Sequence, residues 1–195
     1  GVELRVDDWG LDVVYSGSQK CLSCVPGLSP ITFSPRALER IRQRKTRVQS
    51  WFCDINLLMS YYESGEKTRA YHHTAPINSL YALDEGLRLL KKEGLENAWN
   101  RHAANHVKLR DGLEAMGLEF YVDADYRLPQ LNAVKVPEGV DEAAVRSFLL
   151  NEYNLEIGAG LGPLAGKIWR IGLMGASSSE KHVELCLHGL KAALD

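Results

Sequence analysis

The sequence has 195 residues, of which 45% are hydrophobic and 25% charged. Such a composition can bury a core and is unlike that of disordered or fibrous chains. The formal net charge of -2 and the pI near 6.3 argue against nucleic acid or an anionic membrane as the main partner.

No apolar run reaches the roughly 20 residues that a membrane span needs, and the N-terminal residues lack the features of a signal peptide. Four cysteines are too few for a disulfide scaffold, so we expect free thiols in a reducing compartment. A cytoplasmic location is therefore expected, with a peroxisome or mitochondrion left open as alternatives. Because the first residue is Gly rather than Met, we also expect the chain to begin inside a longer polypeptide.

The first half of the chain alternates short apolar runs with helical patterns. A polar, Gly-containing stretch that ends at Lys20 breaks the first apolar run, and Ser34 and Pro35 fit the start of a basic helix. A turn is expected at 64–66. The predicted elements are strands at 11–15 and 29–33, followed by helices at 35–45, 51–62 and 76–94.

The second half is predicted to form a compact α+β layer. Gly94 fits the C-cap of the long helix before it, and we place the boundary between two domains, 1–94 and 95–195, at this glycine. A glycine-rich stretch at 158–163 is interpreted as a turn. The predicted elements are a helix at 95–113, strands at 118–122, 131–136 and 168–173, and helices at 141–153 and 179–194.

Lys20 follows a predicted buried strand and closes the polar stretch 16–20. A lysine in that position can be partly desolvated, which favours the neutral amine that acts as a nucleophile. The alternative is a solvated loop lysine, which the spacing alone favours because lysines at strand ends are common.

Arg170 lies inside an apolar strand, where alternation places it on one face with Ile168 and Gly172. An arginine there needs a partner, and its planar guanidinium matches a carboxylate with two parallel hydrogen bonds. A substrate carboxylate would satisfy it. The alternatives are an internal salt bridge and a position at a sheet edge.

The tetrapeptide Tyr71-His72-His73-Thr74 gathers hydroxyl and imidazole groups just ahead of Pro76. Side-chain donors and free backbone amides at a helix start can hold a phosphate. A simpler interpretation is that Thr74 caps the helix that follows.

Together these segments resemble the alanine:glyoxylate (serine:pyruvate) aminotransferase family of class V, pyridoxal-phosphate-dependent aminotransferases. The order and separation of the segments also fit, and the resemblance runs nearly from end to end of the chain. The matching motifs are Tyr-Ser-Gly-Ser-Gln-Lys at 15–20, Tyr-His-His-Thr at 71–74, Gly-Leu-Glu-Asn-Ala-Trp at 94–99 and Arg-Ile-Gly-Leu-Met-Gly at 170–175.

The resemblance implies an α/β chain of the fold-type I PLP-dependent transferases, with the end of the large domain followed by a small C-terminal α+β domain. It implies that Lys20 forms the Schiff base with pyridoxal 5'-phosphate and that Gln19 contributes to the phosphate site. Tyr71 and Thr74 would reach the phosphate of the neighbouring subunit, so a homodimer with shared active sites is implied. Arg170 would bind the substrate carboxylate.

The implied reaction moves an amino group from alanine or serine to glyoxylate or pyruvate, with the cofactor as electron sink. In one respect the chain departs from the family's pattern. The aspartate that pairs with the pyridinium nitrogen is expected roughly two dozen residues before the lysine, which is ahead of Gly1, and Asp7 and Asp8 lie too close to Lys20 to replace it. We therefore expect weak or no cofactor retention by these 195 residues alone.

Two other enzyme classes remain as alternatives: a ureidoglycine:glyoxylate aminotransferase and a cysteine desulfurase. The desulfurase is disfavoured because no cysteine lies in an evident mobile loop, although Cys186 on a helix leaves it open. A basic run between Arg36 and Arg47 is interpreted as a solvated or subunit-facing surface rather than a nucleic-acid site.

A non-enzyme alternative is a zinc-binding module with Cys21, Cys24, His72 and His73 as ligands. We disfavour it and predict no metal site, because zinc ligands usually come as two close pairs in defined spacing and adjacent histidines seldom point at one metal. His102 and His106, four residues apart, are interpreted as one polar face of a helix.

Overall fold

A computed structural model of the chain describes residues 1–63 and 71–195, so the turn predicted at 64–66 lies outside the described residues. Short 3-10 turns occur at Ala124–Tyr126, Gly162–Leu164 and Gly175–Ser177. The strands and helices are, in chain order, β1 Val13–Tyr15, β2 Ile31–Phe33, α1 Pro35–Arg42, α2 Ile55–Glu63, α3 Ile77–Glu93, α4 Leu95–Ala115, β3 Leu131–Lys135, α5 Glu142–Tyr153, β4 Gly158–Ala159, β5 Ile168–Gly172 and α6 Glu180–Leu194.

Two short strands, β1 and β2, are the first elements of the chain and pair antiparallel, with Val13 opposite Phe33. Both are shorter than predicted. The predicted start of α1 is confirmed: Ser34 is the N-cap, its hydroxyl accepts a hydrogen bond from the Ala37 amide, and proline follows at the first helical position. This helix ends at Arg42 rather than near Lys45.

The second half forms a three-stranded antiparallel sheet in the order β3-β5-β4, covered on one face by helices. Trp169 and Ile171 of β5 point into the apolar core, together with Val134 of β3. Their neighbours on the opposite face of the sheet include Arg170, which lies opposite Ala133 of β3. The alternation predicted for this strand is therefore confirmed, and it leaves Arg170 on the sheet face away from the core helices.

Two predicted features of this layer are wrong. Residues 118–122 do not form a regular strand, and Phe120 makes only an isolated bridge to Val134. The reason is that the chain leaves the sheet edge after Tyr121. The turn predicted at 158–163 is wrong for its first two residues, which form strand β4 and pair with β5 through Gly158 opposite Arg170; a 3-10 turn follows at Gly162–Leu164.

Gly94 separates α3 from α4 with no intervening loop, and its φ of 88° is one that glycine adopts readily. Every buried apolar side chain of the described residues lies between Ala98 and Leu190, which fits a core of its own for the second half. The division into domains at Gly94 stays a prediction. None of the described helices combines the length and apolarity that crossing a bilayer requires.

Candidate active site

Lys20 lies in a closed loop between β1 and β2, residues 16–28, which we term the lysine loop. Ser18 organises it from a buried position. The Ser18 hydroxyl donates to the Val25 carbonyl at 2.7 Å, and its amide donates to the Leu28 carbonyl at 3.0 Å. Because a small polar residue ties the two sides of the loop together, the backbone that carries Lys20 is fixed.

The lysine loop packs directly on α3, at a glycine. A Cβ on Gly86 would lie 2.6 Å from the Leu22 carbonyl oxygen and 2.7 Å from Cys24 Sγ, so only glycine permits this approach. The Cys24 thiol also donates to the Ala82 carbonyl of the same helix at 3.2 Å. The loop is therefore anchored by the body of the chain and not by β1 and β2 alone.

Lys20 itself is exposed, as is Gln19. The prediction of a partly desolvated amine is wrong for this chain, because Ser18 takes the buried position of the loop and the next two residues turn outward. The Gln19 side chain folds back over the loop, with Oε1 2.5 Å from the place of a Cβ on Gly17. An amine and an amide thus stand together on the open side of the loop.

Arg170 lies on β5, the central strand of the sheet, and is half-buried. Its Nε donates to the Ala159 carbonyl at 2.6 Å, and no carboxylate of the described residues lies within ion-pair distance of it. Arg170 therefore does not lie at a sheet edge, and it makes no internal salt bridge within residues 1–63 and 71–195. A Cβ on Gly158 would lie 3.2 Å from Nη2, so this glycine gives the guanidinium room.

The segment that follows β5, residues 173–178, contacts the lysine loop. The Ala176 amide donates to the Ser23 hydroxyl at 2.8 Å. A Cβ on Gly175 would overlap Ser23 Oγ and lie 2.8 Å from the Cys21 carbonyl oxygen. The strand that carries Arg170 and the loop that carries Lys20 are therefore joined through the 173–178 segment, which follows β5 directly.

Tyr71 and Thr74 present hydroxyl groups at the surface, 2.7 Å apart, and Tyr71 is 73% exposed. The prediction that Thr74 caps the following helix is wrong, because the N-cap of α3 is Pro76 and no side chain caps it. His72 between them is buried and stacks on Trp51 with ring centroids 3.9 Å apart. The tetrapeptide is thus anchored by one histidine while its hydroxyl groups stay available.

The cysteine and histidine pairs named as zinc ligands are not gathered at one point. Within the ranges 1–63 and 71–195, no three side chains of His, Cys, Asp or Glu are arranged to hold a metal ion. Cys24 is committed to its bond with α3. His72 and His73 bond to each other, with their Nδ1 atoms 2.8 Å apart.

A buried polar face of α4 is the feature that the sequence analysis missed. His102 and Asn105 are buried, although the histidine was interpreted only as part of a polar face. Their spacing held the signal, since they share the helix stripe of Ala98, Leu109 and Leu113, whose side chains enter the core.

Arg101, beside them, is held by an acidic partner at the end of α3. Its Nε and Nη2 donate to the two oxygens of Glu93 at 2.6 and 2.9 Å. These hydrogen bonds lower the pKa of the Glu93 carboxyl and raise that of the Arg101 guanidinium. Burial lowers the pKa of the neighbouring His102, which favours its neutral form.

Comparison with known proteins agrees with this geometry. The sequence model of the family Aminotransferase class-V matches residues 1–176. The alanine–glyoxylate aminotransferase of Callithrix jacchus is 42% identical over all 195 residues, which cover 47% of that protein. The (S)-ureidoglycine–glyoxylate transaminase of Bacillus subtilis (strain 168) is 38% identical, with all of this chain and 50% of that protein covered.

Among solved structures, the alanine–glyoxylate aminotransferase of Nostoc sp. superposes with a TM-score of 0.95 at 50% identity, over all of this chain and 51% of that one. The chain therefore spans about half the length of the relatives it matches, roughly their C-terminal half. Its fold is that of the fold-type I PLP-dependent aminotransferases. On the match of the family model and the end-to-end likeness to these relatives, the chain belongs to the class-V aminotransferases.

Proposed function

We propose that this chain supplies the lysine, phosphate-contacting and carboxylate-binding residues of an aminotransferase that moves an amino group from alanine or serine to glyoxylate or pyruvate. The relatives named alanine–glyoxylate aminotransferase support this. The observation that carries it is the direct contact between the lysine loop and the 173–178 segment, because it holds the amine of Lys20 and the guanidinium of Arg170 in one assembly.

Class-V membership implies pyridoxal 5'-phosphate as the cofactor, and the side chains present fit such a group. An exposed primary amine at Lys20 is accessible to the cofactor's aldehyde, and Gln19 offers an amide beside it. Tyr71 and Thr74 add two hydroxyl groups, which bond to each other at 2.7 Å and can both donate to phosphate oxygens once that bond is exchanged. The cofactor, when bound, supplies the electron sink that the reaction needs.

We assign the acid–base work to Lys20. With pyridoxal phosphate bound, Lys20 would hold it through its Nζ, and the free Nζ would accept a proton from the substrate Cα and later give one back to the substrate. The fixed backbone of the lysine loop, tied by Ser18 to Val25 and Leu28, limits how far this amine can move between the two positions.

Arg170 is assigned to the substrate carboxylate. Its Nε is held by the Ala159 carbonyl, which sets the plane of the guanidinium, while neither Nη group has a hydrogen-bond partner among the described residues. Such a fixed fork binds a carboxylate with two parallel hydrogen bonds and so orients the amino acid's Cα.

We further propose a homodimer in which Tyr71 and Thr74 contact the phosphate in the neighbouring subunit's site. Their exposure and the absence of a capping role support this assignment. The proposal includes a cytoplasmic location, which fits four cysteines that are all free.

The test is chemical capture at the lysine together with kinetics. The full-length protein, including any residues ahead of Gly1, is purified with added pyridoxal phosphate, treated with borohydride and digested, and the label is expected on Lys20 by mass spectrometry. Arg170→Lys should raise KM for alanine about 10- to 100-fold, as expected for loss of a charged bidentate contact, with a smaller effect on kcat. A label on another lysine, or an unchanged KM in Arg170→Lys, would contradict the proposal.

A second candidate, transamination of (S)-ureidoglycine with glyoxylate, is favoured by the likeness to the Bacillus subtilis relative. Both reactions would use the same lysine and arginine, so the labelling experiment does not separate them. The ratio of kcat/KM for alanine to that for (S)-ureidoglycine does, and we expect it to favour alanine.

A further inference from the structure

Gly175, in the segment after β5, is held by α4 through both of its backbone groups. Its amide donates to His102 Nε2 at 3.0 Å, and its carbonyl accepts from Arg101 Nη1 at 2.8 Å. Arg101 Nη1 also donates to the Ser178 carbonyl at 2.7 Å. Two adjacent side chains of one helix therefore fix the position of the whole 173–178 segment.

His102 can play this part in only one protonation state and one tautomer. Its Nδ1 lies 2.6 Å from the Ala98 carbonyl, which only accepts, so Nδ1 carries the proton and Nε2 is left as an acceptor. A protonated imidazole would present two N–H groups, one of them facing the Gly175 amide. Burial favours the neutral ring, which matches the bond it makes.

On its other side the same segment meets the lysine loop. The Ala176 amide is bonded to Ser23 Oγ, and the α carbon of Gly175 lies against Cys21 and Ser23. At its start, the Leu173 amide donates to the Gln130 carbonyl directly after β5. The 173–178 segment is thus the connection between the arginine-bearing strand and the lysine-bearing loop, and α4 holds that connection in place.

We propose that Arg101 and His102 are positioning residues for the transamination site: by fixing Gly175 from α4 they set where the lysine loop stands relative to Arg170. The inference rests on the proposed function for its kinetic consequence only. Neither side chain is assigned to the cofactor or the substrate, and each acts through the backbone of the 173–178 segment.

The first test is amide hydrogen exchange on the purified protein without cofactor or substrate. His102→Leu removes the acceptor for the Gly175 amide, and His102→Gln replaces it with an amide oxygen of similar reach. In His102→Leu we expect exchange about tenfold faster or more, both in peptides covering 173–178 and in those covering the lysine loop. His102→Gln should restore slow exchange in both. Faster exchange confined to 173–178, with the lysine loop unchanged, would overturn the proposal.

The second test is kinetic. His102→Leu should raise KM for alanine about 10- to 100-fold, as expected when a carboxylate-binding group is displaced by about 1 Å, and His102→Gln should recover most of it. Leu109→Val, a fully buried change on the same helix, serves as the control: it lowers the thermal midpoint but leaves KM unchanged. A merely structural His102 would behave like this control, which would refute a positioning role.

A double-mutant cycle checks that the effect passes through the lysine loop. Ser23→Gly removes the hydroxyl that accepts from the Ala176 amide. The φ of 60° at this position is one that glycine adopts readily, so the backbone is not strained by the change. If both changes break one connection, their effects on KM are not additive; additive effects would contradict it. A wild-type protein that transaminates no amino donor would defeat the proposed function, whereas the exchange experiment would still decide this inference.

Discussion

Gly175→Ala is expected to be among the most damaging small substitutions in the chain. The residue has a φ of 56°, so any Cβ carries the cost of a left-handed backbone, about 1 kcal/mol. A Cβ would also overlap Ser23 Oγ, and moving that hydroxyl breaks its bond with Ala176, which is worth about 1 kcal/mol. The Cys21 carbonyl oxygen, 2.8 Å from the new Cβ, cannot rotate away, and overpacking of this kind costs about 1–3 kcal/mol.

These contributions together predict that the free energy of unfolding falls by about 3–5 kcal/mol. Gly117→Ala is the matched control, because Gly117 has a φ of 76° but nothing within 4 Å of an added Cβ, and it should lose only about 1 kcal/mol. Urea denaturation followed by far-ultraviolet circular dichroism measures both. Equal losses in the two variants would show that the contact between Gly175 and the lysine loop is not tight and would refute the reasoning.

Three further predictions concern the core, the pH dependence and a helix cap. Trp169→Ala should lower the free energy of unfolding by about 3–5 kcal/mol, since Trp169 is fully buried and its Nε1 donates to the Glu142 carbonyl; a loss below 1 kcal/mol in urea denaturation would contradict its place in the core. Burial lowers the pKa of His102 in the folded protein, so the unfolded chain binds a proton at this histidine at a higher pH than the folded chain does. The neutral, buried His102 therefore contributes fully to stability above the ordinary pKa of 6.5, and this contribution declines as the pH falls below 6.5 towards the folded pKa. Thermal midpoints of the wild type should therefore drop more steeply than those of His102→Gln between about pH 7 and 5, and parallel curves would count against it. Asp141 is the N-cap of α5, and its carboxylate accepts hydrogen bonds from two amides. Asp141→Ala should lower the free energy of unfolding by about 1 kcal/mol, whereas Asp141→Asn should keep most of that stability. Equal losses in the two variants would mean that the cap does not act through its side-chain oxygen.

Several elements followed from local sequence alone. The predicted N-cap of α1, Ser34, bonds to an amide of the first helical turn. Asp141 and Ser179, where two helices were predicted to begin, cap α5 and α6 in the same way. The alternation of side chains, which placed Arg170 on the face of the sheet opposite Trp169 and Ile171, is likewise a property of any strand. Such features depend on a few adjacent residues and can be predicted from them.

Other features depended on partners distant in sequence. Phe120 bridges only one residue of β3 where a full strand was predicted, and Gly158 begins a two-residue strand beside β5 where a turn was predicted. No local sequence pattern makes these distinctions, because strand pairing depends on which edges the sheet leaves free. Lys20 is exposed although it follows the apolar residues of β1, because Ser18 and not Lys20 occupies the inward position of the lysine loop.

The sequence by itself determined the family, the helices, the N-cap of α1, and the residue types needed to bind a phosphate, an aldehyde and a carboxylate. Only the tertiary structure decided which groups the buried His102 and Asn105 of α4 bond to, and that Gly175 lies between His102 and Ser23. The physical reason is that a buried polar side chain must find its partners wherever the fold brings them. Those of His102 include an amide 73 residues further along the chain, a distance at which periodicity carries no information.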